Sequence, residues 1–393
     1  MAVAAQNAPD LGIPHSPHTV DVSIVDTTGI IRGVSSRLFL APHIKGYDWL
    51  ALPVFSFLVQ HPALHRSLIF DLGIRKDWQN LSPVVLSQLK SHGWTVHIQK
   101  DVSEILGGAG VDPNTVEAII WSHHHFDHTG NPNTFPPSTS LIVGPGFKSM
   151  LPGYPTNPNS YILESDLANR QLIELNFESG DSGDRTFQPL SIGRFRALDY
   201  FGDGSFYLLD SPGHAIGHIS ALARVTSSPA SFVLLTGDAI HHPGEIRPSK
   251  YLPLPKDLIP DPFAPDPHPL ASHYSCPGAV FDSLFAGRGR PVCGPIYEPA
   301  RREKDDESFH HDADELRRTT EKLQEADAHD NVFVAAAHDE ALLDHVVFFP
   351  HGKMNDFVEK HWLKRVRWRF LRDFADAVGK QDHEFGRRHW GPE

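Results

Sequence analysis

Cysteine is nearly absent: Cys276 and Cys293 are the only two in 393 residues, and they form no Cys-x-x-Cys pair. That excludes a disulfide framework and a metal site built on paired thiolates, and leaves Cys276 to act as a small buried hydrophobe. Long apolar runs are missing as well, since no window holds the roughly 20 consecutive apolar residues of a membrane span. Residues 1–17 have no basic stretch followed by an apolar core, so no secretory signal is expected and the cytoplasm is the default location. Residues 1–18 then read as a flexible tail, with one domain over 19–393. Positive charge is scarce: 35 Lys and Arg face 48 Asp and Glu, a formal net charge of −13. That balance disfavours nucleic acid and anionic membranes as partners and suits a small neutral substrate, with an oligomer compatible.

Against these absences stand 26 histidines and 33 prolines. The histidines concentrate at Trp121-Ser-His-His-His-Phe-Asp-His-Thr-Gly130, where four imidazoles and a carboxylate fall within six residues. The stretch follows the apolar run Val116, Ala118, Ile119, Ile120, so it sits where a buried strand ends and a loop begins. Such a density of polar groups is costly unless they are solvated or share a cation. Side chains alternate in an extended segment, so His123 and His125 point one way and His124 another.

The pattern His123-x-His125-x-Asp127-His128 resembles the signature of the metallo-β-lactamase superfamily. Further matches occur in order along the chain. Pro212-Gly213-His214 resembles the turn that supplies a further histidine ligand. Ser231 to Asp238 is an apolar strand ending in glycine and an acid, and resembles the strand that supplies the bridging carboxylate. Asn331 to Asp339 ends in His338-Asp339 and resembles the last ligand turn. Asp71 ends the apolar strand 67–73, and in this family such an acid supports the ligand loop. The resemblance implies that His123, His125 and His214 hold one metal, that Asp127, His128 and His338 hold the other, and that Asp238 bridges them. His218, one helical turn beyond His214, is left to packing. Without thiolates the set suits two zinc ions best, with iron, manganese and cobalt as alternatives.

The fold implied is an α/β, four-layer αβ/βα sandwich with long loop insertions near 42–62, 243–277 and 287–318 and a C-terminal helix over 355–378. Nine prolines between 243 and 269 exclude a helix or a central strand there, and the segment reads as a semi-rigid cap over the site, carrying Tyr251, Phe263 and Tyr274. Trp49 is the aromatic chosen for the pocket wall.

The motifs are most similar to the N-acyl homoserine lactonase branch and related lactone and lactam hydrolases. The function implied is a metal-dependent hydrolase that opens a cyclic ester or amide by attack of a hydroxide bridging two metals about 3.5–4 Å apart. Asp127 is the candidate for passing a proton to the leaving group. Where the lactonases carry tyrosine three residues after the bridging acid, this chain has His241, a candidate for the catalytic role of holding the substrate carbonyl. The competing readings are a glyoxalase II-like thioesterase, a phosphodiesterase, an oxygen-dependent iron enzyme and a binding protein without turnover.

Overall fold

The strand Arg66–Phe70 shows how the layers arise: Leu68 and Phe70 are buried on one face and Ile69 on the other. Neighbouring Val116–Ile120 repeats the pattern, with Ala118 and Ile120 turned the same way as Leu68 and Ile119 turned the same way as Ile69. Strands apolar on both faces must be covered on both, which calls for layers on either side. The computed structural model describes residues 4–264, 274–285, 293–301, 308–380 and 390–392.

Seven strands form the first sheet in the order Thr95–His97, Asp21–Arg32, Leu52–His61, Arg66–Phe70, Val116–Ile120, Ser140–Val143, Leu172–Glu174. Six form the second, in the order Val332–Ala335, Ala230–Leu235, Ile219–Ser227, Phe206–Asp210, Phe195–Asp199, Gln188–Ile192. The inner faces meet in one core where Phe57, Phe70 and Ile120 pack with Phe206, Leu208 and Phe333. Outside the first sheet, helix Val102–Gly108 covers Ile69 and Ile119 with Val102 and Leu106. Outside the second, helix Ala313–Asp327 covers Leu234 and Val334 with Leu323 and Ala326. The result is the four-layer α/β sandwich.

Strand direction decides where the polar ends of these apolar strands gather. Arg66–Phe70 and Val116–Ile120 run parallel, as do Ala230–Leu235 and Val332–Ala335. Phe206–Asp210 is antiparallel to Ile219–Ser227, which is antiparallel to Ala230–Leu235, so Phe206–Asp210 shares the direction of the latter. Five carboxyl ends are thereby brought to one edge of the sandwich.

Several expectations are corrected. The segment 42–62 is not wholly an insertion: Leu52–His61 is a central strand, paired with Asp21–Arg32 on one side and Arg66–Phe70 on the other. Pro53 argues against a strand only when it lies in the middle, and here it is the second residue. The tail is anchored, because Leu11 is buried against the second sheet and its carbonyl accepts from Gly193 N–H at 2.6 Å. Arg224 also donates to the Pro14 carbonyl at 2.5 Å.

The segment 355–378 is not one helix. It breaks into short turns around helix Trp362–Val366, with His361 at φ 54°. The physical reason is packing: Phe357, Trp362 and Val366 enter the inter-sheet core, whereas Phe370, Leu371 and Phe374 enter a separate cluster, and one straight helix face cannot serve both.

Candidate metal centre

Each group at the site leaves a strand at its carboxyl end. Asp71 follows Arg66–Phe70, residues 123–128 follow Val116–Ile120, His214 follows Phe206–Asp210, Asp238 follows Ala230–Leu235 and His338 follows Val332–Ala335. The two sheets are tied together at this edge, where Ile219 N–H donates to Ser122 O at 2.9 Å and Phe55 N–H donates to Ala337 O at 3.1 Å.

Two groups of side chains converge there. In the first, His125 Nδ1 lies 2.9 Å from both His123 Nε2 and His214 Nε2, and Asp238 Oδ2 lies 3.8 Å from His123 Nε2 and 3.5 Å from His214 Nε2. In the second, Asp238 Oδ1 lies 3.1 Å from His128 Nε2 and 3.2 Å from His338 Nε2, while Asp127 Oδ2 is 3.5 Å from His338 Nε2 and 3.8 Å from His128 Nε2. One carboxylate thus turns one oxygen to each group. The ligand atoms of His123, His125, His214 and Asp238 all lie within 4.8 Å of one another, as do those of Asp127, His128 and His338.

The outer nitrogens decide what these rings can offer. His338 Nδ1–H donates to the Pro53 carbonyl at 2.8 Å, leaving a lone pair on Nε2. His128 Nδ1–H donates to Asp71 Oδ2 at 2.8 Å, and Asp71 also accepts from Ser122 N–H at 2.6 Å and Ser122 Oγ–H at 2.8 Å. Asp71 adopts φ 59° to do so, a left-handed backbone rare outside glycine and here stored at the site. His128 Nε2, His338 Nε2 and Asp238 Oδ1 are buried without a hydrogen bond. Converging buried lone pairs with their outer nitrogens fixed are what a cation requires, so the residues fit metal ions.

Charge obeys the same geometry. Burial holds His123, His125 and His214 well below the usual imidazole pKa. Burial also opposes charge on His128, but Asp238, Asp71 and Asp127 outweigh it and raise its pKa well above the usual value. Asp238 is held well below the carboxylate range: burial works the other way, and His128, His338 and His241 overcome it. The centre of the cluster is therefore an anion that demands positive charge.

Three other residues complete the surroundings. His218 Nδ1–H donates to Ser211 O at 2.9 Å and its Nε2 accepts from Asp238 N–H at 3.0 Å, so it braces the strand end. His241 places Nε2 3.2 Å from Asp238 Oδ2, its ring centroid is 4.4 Å from that of Phe39, and neither of its ring nitrogens makes a hydrogen bond. His124 turns away from the cluster and lines the cavity, where burial brings it down to about 4.

The cavity holds about 520 Å³ and is walled by Phe39, Trp94, Phe126 and Phe309, with Asp127, Asp238 and His241 at its floor. No Lys or Arg is found among the described residues that line it. Trp49 is not part of the wall. The proline-rich segment also contributes none of the described lining residues: Phe263 packs on Phe281 instead, 5.6 Å between rings, and residues 265–273 lie outside the described part. Ser308 to His311, from the next insertion, form that side of the cavity. An aromatic residue does not by itself reveal which cavity it faces, and for that reason Trp94 and Phe309 escape a reading of the sequence.

Behind the floor, Glu245 accepts from His241 N–H at 2.6 Å and His242 N–H at 3.1 Å, and burial pushes its carboxyl up to about 8. The unfolded carboxyl titrates near 4.5, so between pH 4.5 and 8 the folded chain binds a proton that the unfolded chain does not. Stability from this group therefore falls as pH rises through that window, by on the order of a few kcal/mol, and levels off above it. Glu245→Gln should keep the acceptor oxygen and lose that dependence. Urea unfolding at pH 5 and pH 8 is expected to show a smaller drop in the Glu245→Gln protein than in wild type, and equal drops would refute the assignment.

Fold and site together define a metal-dependent hydrolase, and the chain belongs to the metallo-β-lactamase superfamily, whose family model matches residues 50–145. Among its relatives is gamma-lactamase FDB1 of Fusarium pseudograminearum, 43% identical over 374 residues, which cover 93% of this chain and 85% of that one. Gamma-lactamase MBL2 of Gibberella moniliformis is 45% identical over 259 residues, 65% of this chain and all of the relative. The fold is shared with an N-acyl homoserine lactone hydrolase solved with N-hexanoyl-L-homoserine at its catalytic metal center, at 18% identity and a TM-score of 0.51, covering 85% of this chain and 99% of that chain.

Proposed function

We propose that this chain is a dinuclear hydrolase that opens a small neutral cyclic amide or ester. The observation that carries the reading is Asp238, one oxygen directed to the group of His123, His125 and His214 and the other to that of Asp127, His128 and His338. The first three histidines would hold one cation, the second group the other, with Asp238 shared, and zinc suits these nitrogen and oxygen donors. Two such ions would supply a water of lowered pKa and a Lewis acid for a carbonyl oxygen.

The protein's own groups account for the rest. Phe39, Trp94, Phe126 and Phe309 offer flat apolar walls that exclude water and hold a ring, and the lack of Lys and Arg among the described lining residues favours an uncharged substrate. Asp127 stands at the cavity floor, where its carboxylate can carry a proton to the departing nitrogen or oxygen. His241 faces the same floor with a ring N–H available for the carbonyl oxygen. Two relatives are named gamma-lactamases, which supports trying cyclic amides first.

The test is metal analysis of the purified chain and turnover on γ-lactams, lactones, glutathione thioesters and phosphodiesters. Cyclic amides or esters should be the preferred class. Asp127→Asn should lower kcat by about 10²–10⁴, the range of a lost proton-transfer group. Best turnover on a thioester or phosphodiester, or an Asp127→Asn enzyme at the wild-type rate, would overturn the reading.

A further inference from the structure

His310 lies in the insertion predicted over 287–318, far from every motif, and its ring is buried against the cluster. Its Nε2 is 2.9 Å from the Phe39 carbonyl oxygen and its Nδ1 is 3.2 Å from His214 Nδ1. A carbonyl only accepts, so His310 Nε2 carries the hydrogen and a neutral ring then has a lone pair on Nδ1. That lone pair accepts one hydrogen, from His214 Nδ1. With the proton placed there, His214 Nε2 is left bare, and Nε2 is the atom that lies 2.9 Å from His125 Nδ1 and 3.5 Å from Asp238 Oδ2.

We infer that His310 is a positioning residue for the metal centre: through one shared hydrogen it fixes the tautomer and orientation of His214 that present Nε2 to a cation. This rests on the reading of His214 as a ligand. His338 and His128 are oriented by a carbonyl and a carboxylate, groups that only accept. His214 is oriented by a second imidazole, which accepts only in the tautomer that the Phe39 carbonyl imposes.

The backbone around the pair is built to hold it. His311 N–H donates to His214 O at 2.9 Å and Asp312 N–H to Gly213 O at 2.8 Å, so the insertion and the ligand turn are laced together next to the two rings. The Phe39 carbonyl is itself fixed by Ala300 N–H at 2.8 Å, and Ser308 Oγ, which accepts from His310 N–H at 3.2 Å, donates to the Ala300 carbonyl at 2.9 Å.

A rival arrangement has a third cation on His214, His241 and His310, whose ligand atoms also lie within 4.8 Å of one another. That would require lone pairs on both nitrogens of His214 at once, an imidazolate, whereas one hydrogen satisfies both rings.

The experiment titrates the metal-free full chain with zinc against a competing indicator, for wild type, His310→Leu, His310→Gln and His214→Ala. His310→Leu should weaken one zinc site by about 10- to 100-fold, the scale found when a ligand histidine loses its outer partner. His310→Gln should keep the affinity to within a few fold of wild type, because its amide can donate to Phe39 O and accept from His214. Wild-type affinity in His310→Leu, or a glutamine variant no better than the leucine variant, overturns the role of His310. A wild type that takes three zincs and a His310→Leu chain that takes two would establish the rival and overturn the inference. Unchanged binding in His214→Ala would instead remove the ligand reading beneath it. Should His310→Leu fail to fold, long-range ¹H–¹⁵N spectra of the zinc-loaded wild type decide: hydrogen on His310 Nε2 and His214 Nδ1 supports the inference, and the opposite tautomer of either ring overturns it.

Discussion

Asp238→Asn is expected to lower kcat/KM by roughly three orders of magnitude, the scale on which one preorganised electrostatic group acts at a reacting centre, and to cut the bound metal. The substitution keeps the shape of the side chain and removes its charge. It also turns an NH₂ toward one of two groups that present nitrogen lone pairs, where a donor cannot share a cation. The fold should survive, because the substitution leaves the apolar strands and their packing untouched, but the stability that His128, His338 and His241 give to the ionised carboxylate is lost. The metal-free variant is accordingly expected to melt lower than the metal-free wild type at neutral pH, while still unfolding cooperatively. Elemental analysis, steady-state rates and thermal melts on the same preparation check all three parts, and full metal with full turnover would remove Asp238 from the centre.

Gly213→Ala should be a severely damaging substitution beside the site. Gly213 has φ 128°, and a Cβ placed on it would lie 2.2 Å from Leu316 N and 2.4 Å from Leu316 Cα, inside the first turn of helix Ala313–Asp327. No flexible side chain can yield there, since the obstruction is backbone, so the helix or the turn must move. A cost above about 3 kcal/mol is expected from backbone strain and lost packing together. Because His214 is the next residue, a displacement on the order of 1 Å should also reduce turnover by about 100-fold in whatever protein remains folded. Gly12→Ala is the control: it also has positive φ, at 61°, but meets nothing within 4 Å, and roughly 1 kcal/mol is expected. Urea unfolding of both variants checks the contrast, and a Gly213→Ala protein as mild as the control would show that the turn is not confined by the helix.

Much of the architecture is legible in the sequence because its signals are local. Apolar runs that stop at glycine and an acid, at Asp71 and Asp238, mark buried strands delivering polar groups to an edge, and the run before Trp121 does the same for the histidine loop. Helix Ala313–Asp327 begins one residue after Asp312, whose side chain accepts from Glu315 N–H at 2.9 Å, a cap visible as an acid before a periodic stretch. What escapes depends on partners distant in the chain. Leu52–His61 looks like an insertion until its two neighbours in the sheet are known. The apolar positions of 355–378 suit one helix until they are seen to enter two different clusters.

By itself, the order of residues determined the donor types at the site, the strands that carry them and the acidic balance of the chain, because each depends on composition or on spacing within one segment. Only the tertiary structure decided that five strand ends meet at one edge, that Asp238 turns an oxygen to each of two groups, and that Trp94, Phe309 and His310 share a cavity with them. Those outcomes are set by which surfaces pack together. Pairing between segments more than 90 residues apart, as between His214 and His310, leaves no periodic mark in either one.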